Sequence, residues 1–260
     1  MLARLLVAAT TLGLRREEHE IKILRKNRCR MSDLFGRAAL VAIFSILATI
    51  KAFVVFDFAW RHFPADEIHV HLELASQLAG LAFMIFITLL TVVRLKPIES
   101  TSGWEPRVSA LIGSFLTFLL PLLPQAELPR SLQIISLSLV FFGLSASVVV
   151  VFWLGRMFSV IPQARKLVVS GPYAFVRHPL YLTEEIAVVG LLMNYMSLEA
   201  LVLGAIQWAF QLRRMANEER VLRRAFPEYA DYAARTPMIV PSRLQQVFAI
   251  RPRKIERPAA

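Results

Sequence analysis

Apolar residues in this chain are gathered into long runs instead of recurring at a core-forming period, and the runs are of membrane length. A helix rising about 1.5 Å per residue needs about 20 residues to cross a hydrocarbon layer of about 30 Å. Segments 38–56, 74–93, 108–123 and 132–154 meet that length or approach it. The third is short and ends at Pro121 and Pro124, so it is expected to stop at an interface. A fifth apolar stretch, 179–210, is too long for one simple crossing and is interrupted by Asn194, Ser197 and Glu199. It reads as a helical hairpin in which Asn194 and Tyr195 make the turn, Ser197 caps the second helix and Glu199 lies in its positive first turn.

The charges between the runs orient them. Lys and Arg number nine before residue 38, one between the first two spans, three in the next loop, one in the next, four in 155–178 and eleven after 210. The richer positions alternate, which by the positive-inside rule makes them cytoplasmic. Five spans would leave the last eleven outside, whereas six place the loop 155–178 and both flanks on one side. The expected fold is therefore all-α: a polytopic helical membrane protein of about six transmembrane helices, including the C-terminal hairpin, followed by a cytoplasmic amphipathic helix. Its regions are a basic cytoplasmic extension (1–37), four spans (38–154), a functional region with the hairpin (155–241) and a basic tail (242–260). The inner membrane, with the site facing the cytoplasm, is the expected location. Met31 opens Met-Ser-Asp just before the first span, so 1–30 read either as an upstream extension or as a basic segment lying on anionic lipid headgroups; the run 5–14 is short for a signal peptide and is followed by Arg15 and Arg16.

Composition agrees with the pattern and narrows the chemistry. Of 260 residues 56% are hydrophobic, and 30 Lys and Arg stand against 19 Asp and Glu. That apolar content excludes a disordered chain. The single cysteine, Cys29, excludes a disulfide framework or multi-thiolate zinc site. Neither Gly-x-Gly-x-x-Gly nor a Walker loop occurs, so neither a soluble dinucleotide fold nor a phosphate-cradling loop is encoded. His62, His69 and His71 share an outer loop with Asp66 and Glu67 but match no known ligand spacing, and a polar interfacial loop describes them better. Lys51, inside the first span, raises a suspicion of function because a charge at the membrane centre costs about 2.5 to 3.5 kcal/mol; snorkelling to the outer interface is the alternative. No nucleic-acid partner is expected.

Two stretches carry candidate chemistry. The first, 155–181, ends Ser170-Gly-Pro-Tyr-Ala-Phe-Val-Arg177-His178-Pro179-Leu180-Tyr181. Pro179 suits the first position of a helix, whose free N–H groups attract a carboxylate or phosphate, and Arg177 and His178 stand at that mouth. A basic loop whose Pro merely starts a helix explains the same residues. The second, 211–226, continues from the last span. On a helical wheel Leu212, Met215, Ala216, Leu222 and Phe226 form one apolar face, with Glu219 inside it and Glu218 at its edge, one turn after Arg214. Weak surface pairing of these carboxylates with Arg214, Arg223 and Arg224 is the alternative.

Together, Arg177-His178-Pro179-x-Tyr181, a helical hairpin, Glu218-Glu219 and Phe226-Pro-Glu-Tyr229-Ala-Asp-Tyr232 resemble the isoprenylcysteine carboxyl methyltransferase family and its phospholipid methyltransferase relatives, integral membrane enzymes that use S-adenosylmethionine. The resemblance covers about 154–241. It implies cofactor contacts at Leu167, Val168, Tyr173, Arg177, His178, Pro179, Leu180, Tyr181 and Glu218, and a catalytic group of Arg214, Glu218 and Glu219, with Arg214 facing the methyl acceptor. It also implies an opening between helices through which a lipid-like or prenylated acceptor reaches the cofactor from the membrane. A His-Thr pair in the family is replaced here by Arg165 and Lys166.

A sulfonium methyl donor is already activated, so the enzyme chiefly aligns the acceptor and excludes water. A carboxylate acceptor needs no base, whereas an ammonium acceptor must first lose a proton, for which Glu218 or Glu219 is available. Carboxyl O-methylation and lipid N-methylation therefore both stay open. A membrane-bound NADPH-dependent reductase of the steroid reductase type is the second resemblance, through Arg-His-Pro and the following Glu184, although Leu180 stands where those reductases usually carry Asn.

Overall fold

The computed structural model describes residues 33–101 and 103–239. Most of the expected basic extension and the whole tail 242–260 lie outside them. Helix α1 spans Asp33–His62. It is followed by α2 (Ile68–Val93), α3 (Glu105–Phe115), α4 (Arg130–Leu154), α5 (Pro179–Asn194), α6 (Leu198–Ala225) and α7 (Tyr229–Arg235). The strands are β1 (Glu99–Ser100) and β2 (Gln163–Ala164), an antiparallel pair in which Glu99 faces Ala164.

Three helices, α1, α2 and α4 with its short 3-10 extension to Met157, are long and apolar enough to cross a membrane. Their outward residues include Phe53, Phe56, Phe142 and Phe152, each about two-thirds exposed. An apolar surface of that extent is suited to lipid and not to water. The expected third span starts as α3 but changes at Leu116 to a 3-10 helix, Leu116–Leu122, containing Pro121. Proline lacks the N–H that an α-helix would use there, and the tighter winding meets the break that Pro121 and Pro124 predicted.

The hairpin forms where the polar interruptions fall. Helix α5 ends at Asn194, and the Ser197 side chain accepts from Ala200 N at 3.1 Å, with Glu199 in the first turn of α6. Helix α5 lies tightly along α4. A Cβ on Gly143 would stand 2.5 Å from Ala187 N, and one on Gly190 would stand 2.6 Å from Ser136 O. Ser136 Oγ donates to Gly190 O at 2.7 Å and Ser147 Oγ to Thr183 Oγ1 at 2.9 Å. Small residues with cross-helix hydrogen bonds are how helices associate where lipid removes the hydrophobic drive. Replacing Gly190 by Ala should lower stability by about 1–3 kcal/mol, because the obstructing atoms are main chain and cannot rotate aside. Gly36→Ala meets nothing within 4 Å and is the control, expected to be neutral or stabilising in thermal unfolding of the detergent-solubilised protein.

The sequence reading of α6 is corrected in one respect. Ala216 is exposed, while Gln207, Gln211, Arg214, Met215, Asn217 and Val221 are buried. The buried face is turned by roughly a quarter of a circle from the apolar one. The reason is polar partnering: Gln207 donates to Glu185 at 3.0 Å, Gln211 to Glu184 at 3.1 Å, Arg214 to Ser114 at 2.9 Å and Asn217 to Ser109 at 3.0 Å. A wheel scored on hydrophobicity is blind to such a face.

Candidate functional site

The site is built where the loop after α4 closes on the far part of α6. Gly155, at φ 55°, ends α4, and Gly171, at φ 61°, opens a 3-10 turn, Gly171–Ala174. Both conformations suit glycine. Pro179 then starts α5 at a position where the missing N–H has no helical partner to lose. The two residues before it are strapped by the chain beyond α7: Arg177 N donates to Pro237 O at 2.8 Å and His178 N to Met238 O at 3.1 Å.

Adjacent carboxylates of α6 then do different things. Glu219 accepts from Arg177 Nε at 2.8 Å, has His178 Nε2 at 3.3 Å and pairs with Arg223 at 3.4 Å. Burial would raise its carboxyl, but hydrogen bonds from His178 and Arg177 outweigh it and hold the group at about 2. Arg177 also donates to Ala233 O at 2.8 Å and Thr236 O at 2.5 Å, so one guanidinium joins α6, α7 and the loop. Glu218 turns the other way. Tyr181 donates its hydroxyl to Glu218, whose carboxylate lies 3.7 Å from Arg214 Nε, and the Arg214 guanidinium stands 4.8 Å over the Tyr181 ring. Arg214 is 3% exposed, which excludes the surface ion pair weighed from the sequence.

A cavity opens beside this cluster. Leu167, Val168, Tyr173, Arg177, His178, Leu180, Tyr181, Arg214 and Glu218 all line it, as do Arg165 and Lys166. Two expected site residues do not: Pro179 is buried as the first residue of α5, and Glu219 is engaged by Arg177 and His178. Arg165 is anchored by Leu95 O and Gln163, and burial together with the neighbouring Arg94 lowers it to about 10. It is still a cation at neutral pH, and its Nη1 has no hydrogen-bond partner among the described residues. The sequence reading quoted Tyr229 and Tyr232 but gave them no place. Both line the cavity: Tyr232 donates to Tyr173 O at 2.7 Å, and the buried Tyr229 hydroxyl has no hydrogen-bond partner among the described residues. Their three-residue spacing on one helix face was the available signal.

A second, larger cavity of about 700 Å³ lies among α1, α2, α3, α4, α5 and α6. Phe44, Leu47, Phe83, Ile87 and Leu144 make much of its wall, with Glu184, Gln207, Gln211 and Arg214 at one end. Phe158 and Arg214 line both cavities. The two spaces thus meet at an aromatic ring and a buried guanidinium. Where α2 and α4 begin, His69 and Arg130 both engage Glu67, and among the described residues no group of three His, Cys, Asp or Glu is placed to hold a metal ion.

Comparison with known proteins bears on the same part of the chain. Residues 135–224 match the model of the isoprenylcysteine carboxyl methyltransferase family. The cobalt-zinc-cadmium resistance protein CzcN of Cupriavidus metallidurans is 42% identical over 78 residues, which are 29% of this chain and 35% of that protein. The nickel-cobalt-cadmium resistance protein NccN of Alcaligenes xylosoxydans xylosoxydans is 42% identical over 83 residues, 30% of this chain and 38% of that protein. The match thus spans little more than a third of these relatives. The family match bears out the resemblance read from the two motifs, and nothing in the comparisons supports a reductase.

Proposed function

We infer, from a chain whose residues 135–224 match the model of the isoprenylcysteine carboxyl methyltransferase family, that the protein is an integral membrane methyltransferase using S-adenosylmethionine on a lipid-like or prenylated acceptor. The observation that carries this reading is that a cavity lined by Arg165, Lys166, Arg177, His178 and Glu218 meets a larger chamber among α1 to α6 at Arg214 and Phe158. A two-substrate reaction between a water-soluble donor and a membrane-borne acceptor needs such a junction.

The smaller cavity suits the donor chemically. It offers a carboxylate at Glu218, cations at Arg165 and Lys166, tyrosine rings at 173, 181, 229 and 232, and donors without a partner among the described residues at Arg165 Nη1 and the Tyr229 hydroxyl. These are groups for an ammonium, a carboxylate and a heteroaromatic base. The cavity measures about 110 Å³, below the roughly 300–1,000 Å³ of ordinary small-molecule sites. A nucleoside-sized cofactor would therefore fill it and extend past its walls. S-adenosylmethionine supplies an activated methyl group when bound. The residues of the chain do the rest: Tyr181 and Arg214 fix the Glu218 carboxylate, Arg214 orients the acceptor, and Phe158 keeps water from the junction. Glu218 accepts a proton where the acceptor is an amine, and no proton need move where it is a carboxylate. Glu219 acts by holding Arg177 and His178 in the cavity wall.

A six-span arrangement fits this site. Helix α3 with its 3-10 continuation reaches roughly 30 Å, from 11 residues at about 1.5 Å and seven at about 2.0 Å. With α5 and α6 paired as the hairpin, the loop 155–178 and the part of α6 beyond residue 210 share the basic, cytoplasmic side.

Binding of S-adenosylmethionine and of NADPH to the detergent-solubilised protein, measured by calorimetry, tests the reading. Saturable binding of the first and none of the second is expected. Glu218→Gln should weaken it by about tenfold to somewhat over a hundredfold, the value of one charge-assisted hydrogen bond. His178→Ala should weaken it as well. Wild-type affinity in both variants, with the fold intact, would remove the cofactor from this cavity.

A further inference from the structure

We propose that the membrane chamber selects an acceptor bearing a second, anionic group, which pairs with Lys51 well inside the bilayer; this rests on the methyltransferase reading for the word acceptor, but not for the binding itself. Lys51 lines the chamber from α1 and, among the described residues, has no hydrogen bond or ion pair. Its electrostatic counterpart is Glu73 on α2, which lines the same chamber and accepts from Gln77. The side chain does not run outward along α1. A Cβ on Gly80, in the middle of α2, would stand 3.7 Å from Lys51 Cε and 3.5 Å from Leu144 Cδ1. The absence of a side chain at Gly80 thus makes the room that Lys51 occupies. Helical side chains lean toward the helix N-terminus, which carries the ammonium away from the outer end of the span.

A charge kept in such a place is costly when its neighbouring carboxylate, Glu73, makes no ion pair with it among the described residues, and intramembrane charges mark ligand paths. The remaining groups set the polarity of the chamber. Gln77 Oε1, Gln207 Oε1 and Gln211 Oε1 are buried without a hydrogen-bond partner among the described residues. Between the polar ends the wall is Phe83, Leu144 and their apolar neighbours. The chamber is therefore polar, apolar and polar in turn, a sequence that a plain hydrocarbon or prenyl tail does not match.

The spacing follows from packing contacts. Lys51 stands at the level of Leu144, next to Gly143, which abuts Ala187. Glu184 lies one turn away from Ala187 on α5 and pairs with Gln211, itself one turn from Arg214 on α6. Two turns separate the levels of Lys51 and Arg214, on the order of 10 Å in depth. A medium-chain amphiphile with a carboxylate at each end spans this interval.

Dodecanedioic acid and dodecanoic acid are the probes, with direct binding to the detergent-solubilised full chain as the readout. The wild type should bind the diacid at least about tenfold more tightly than the monoacid. Lys51→Met should abolish that preference while leaving monoacid affinity unchanged, and Lys51→Arg should keep it. Thermal unfolding of both variants checks folding; the Met variant removes a buried charge and is expected to be no less stable. Absence of a preference in the wild type, including absence of binding by either acid, overturns the proposal, and so does a preference that survives in Lys51→Met. If the preference is found but S-adenosylmethionine transfers no methyl group to the diacid or to any amphiphile tried, the methyltransferase reading fails and the second anchoring point stands.

Discussion

Arg214→Ala is expected to reduce methyl transfer by about tenfold to a hundredfold while cofactor affinity stays within a few fold of wild type. The guanidinium is the charged group shared by both cavities, so under the proposed function its loss would remove a contact to the acceptor. It also strands carboxylates. Glu218 lies 3.7 Å away, Glu184 acts on the same guanidinium, and Ser114 loses its donor. Breaking a buried pair by removing one partner costs about 3–5 kcal/mol, so the Ala variant should also melt earlier. Arg214→Lys separates the two effects, because it keeps the charge and loses the planar fork. That variant should approach wild-type stability and still transfer methyl slowly. Lost cofactor affinity with unchanged turnover per bound cofactor would assign Arg214 to the donor instead of the acceptor.

Glu219→Gln should destabilise the fold by about 2–3 kcal/mol at neutral pH, judged from the depression of its carboxyl to about 2 from an unperturbed value near 4.5. The sign follows from which form the native state prefers. The folded protein favours the carboxylate, so this stability is fully present above the unfolded value and is lost as pH falls from about 4.5 toward 2. The difference between wild type and Glu219→Gln should therefore be constant from neutral pH down to about 5 and shrink below it. Chemical unfolding of the solubilised protein across that range measures it. A difference that does not narrow below pH 4.5 would show that the carboxylate is not what holds Arg177 and His178.

These two residues show how far the sequence reached. Both were singled out as a catalytic set with Glu218, from a bipartite pattern whose halves are separated by a hairpin. Two of the three enter the cavity. A one-residue step along α6 is a rotation of about 100°, so Glu218 meets Tyr181 while Glu219 meets Arg177 and His178. Residue type cannot distinguish adjacent carboxylates; the direction of α6 against α5 does.

Arg165 makes the same point from another side. As a departure from the family pattern it offered no expectation of a cofactor contact, yet it lines the cavity with an Nη1 that has no hydrogen-bond partner among the described residues. Its place is set by Leu95 O and Gln163, through the small β1–β2 pair and the end of α2. The contact with Leu95 joins residues seventy positions apart, and no local pattern encodes it.

Membrane class was legible from the chain alone, because an apolar run of about 20 residues has few other solutions, and so was the hairpin, because Asn194, Ser197 and Glu199 supply a turn and a cap close together. The sequence also located the break in the third segment, since proline acts on its own backbone. Only the tertiary structure decided which face of α6 is buried, that Lys51 turns inward against Gly80, and that Arg214 joins two cavities. Local signals such as hydropathy, caps and proline act through a few neighbouring residues, whereas a buried polar face is stable only when partners from other helices arrive to satisfy it.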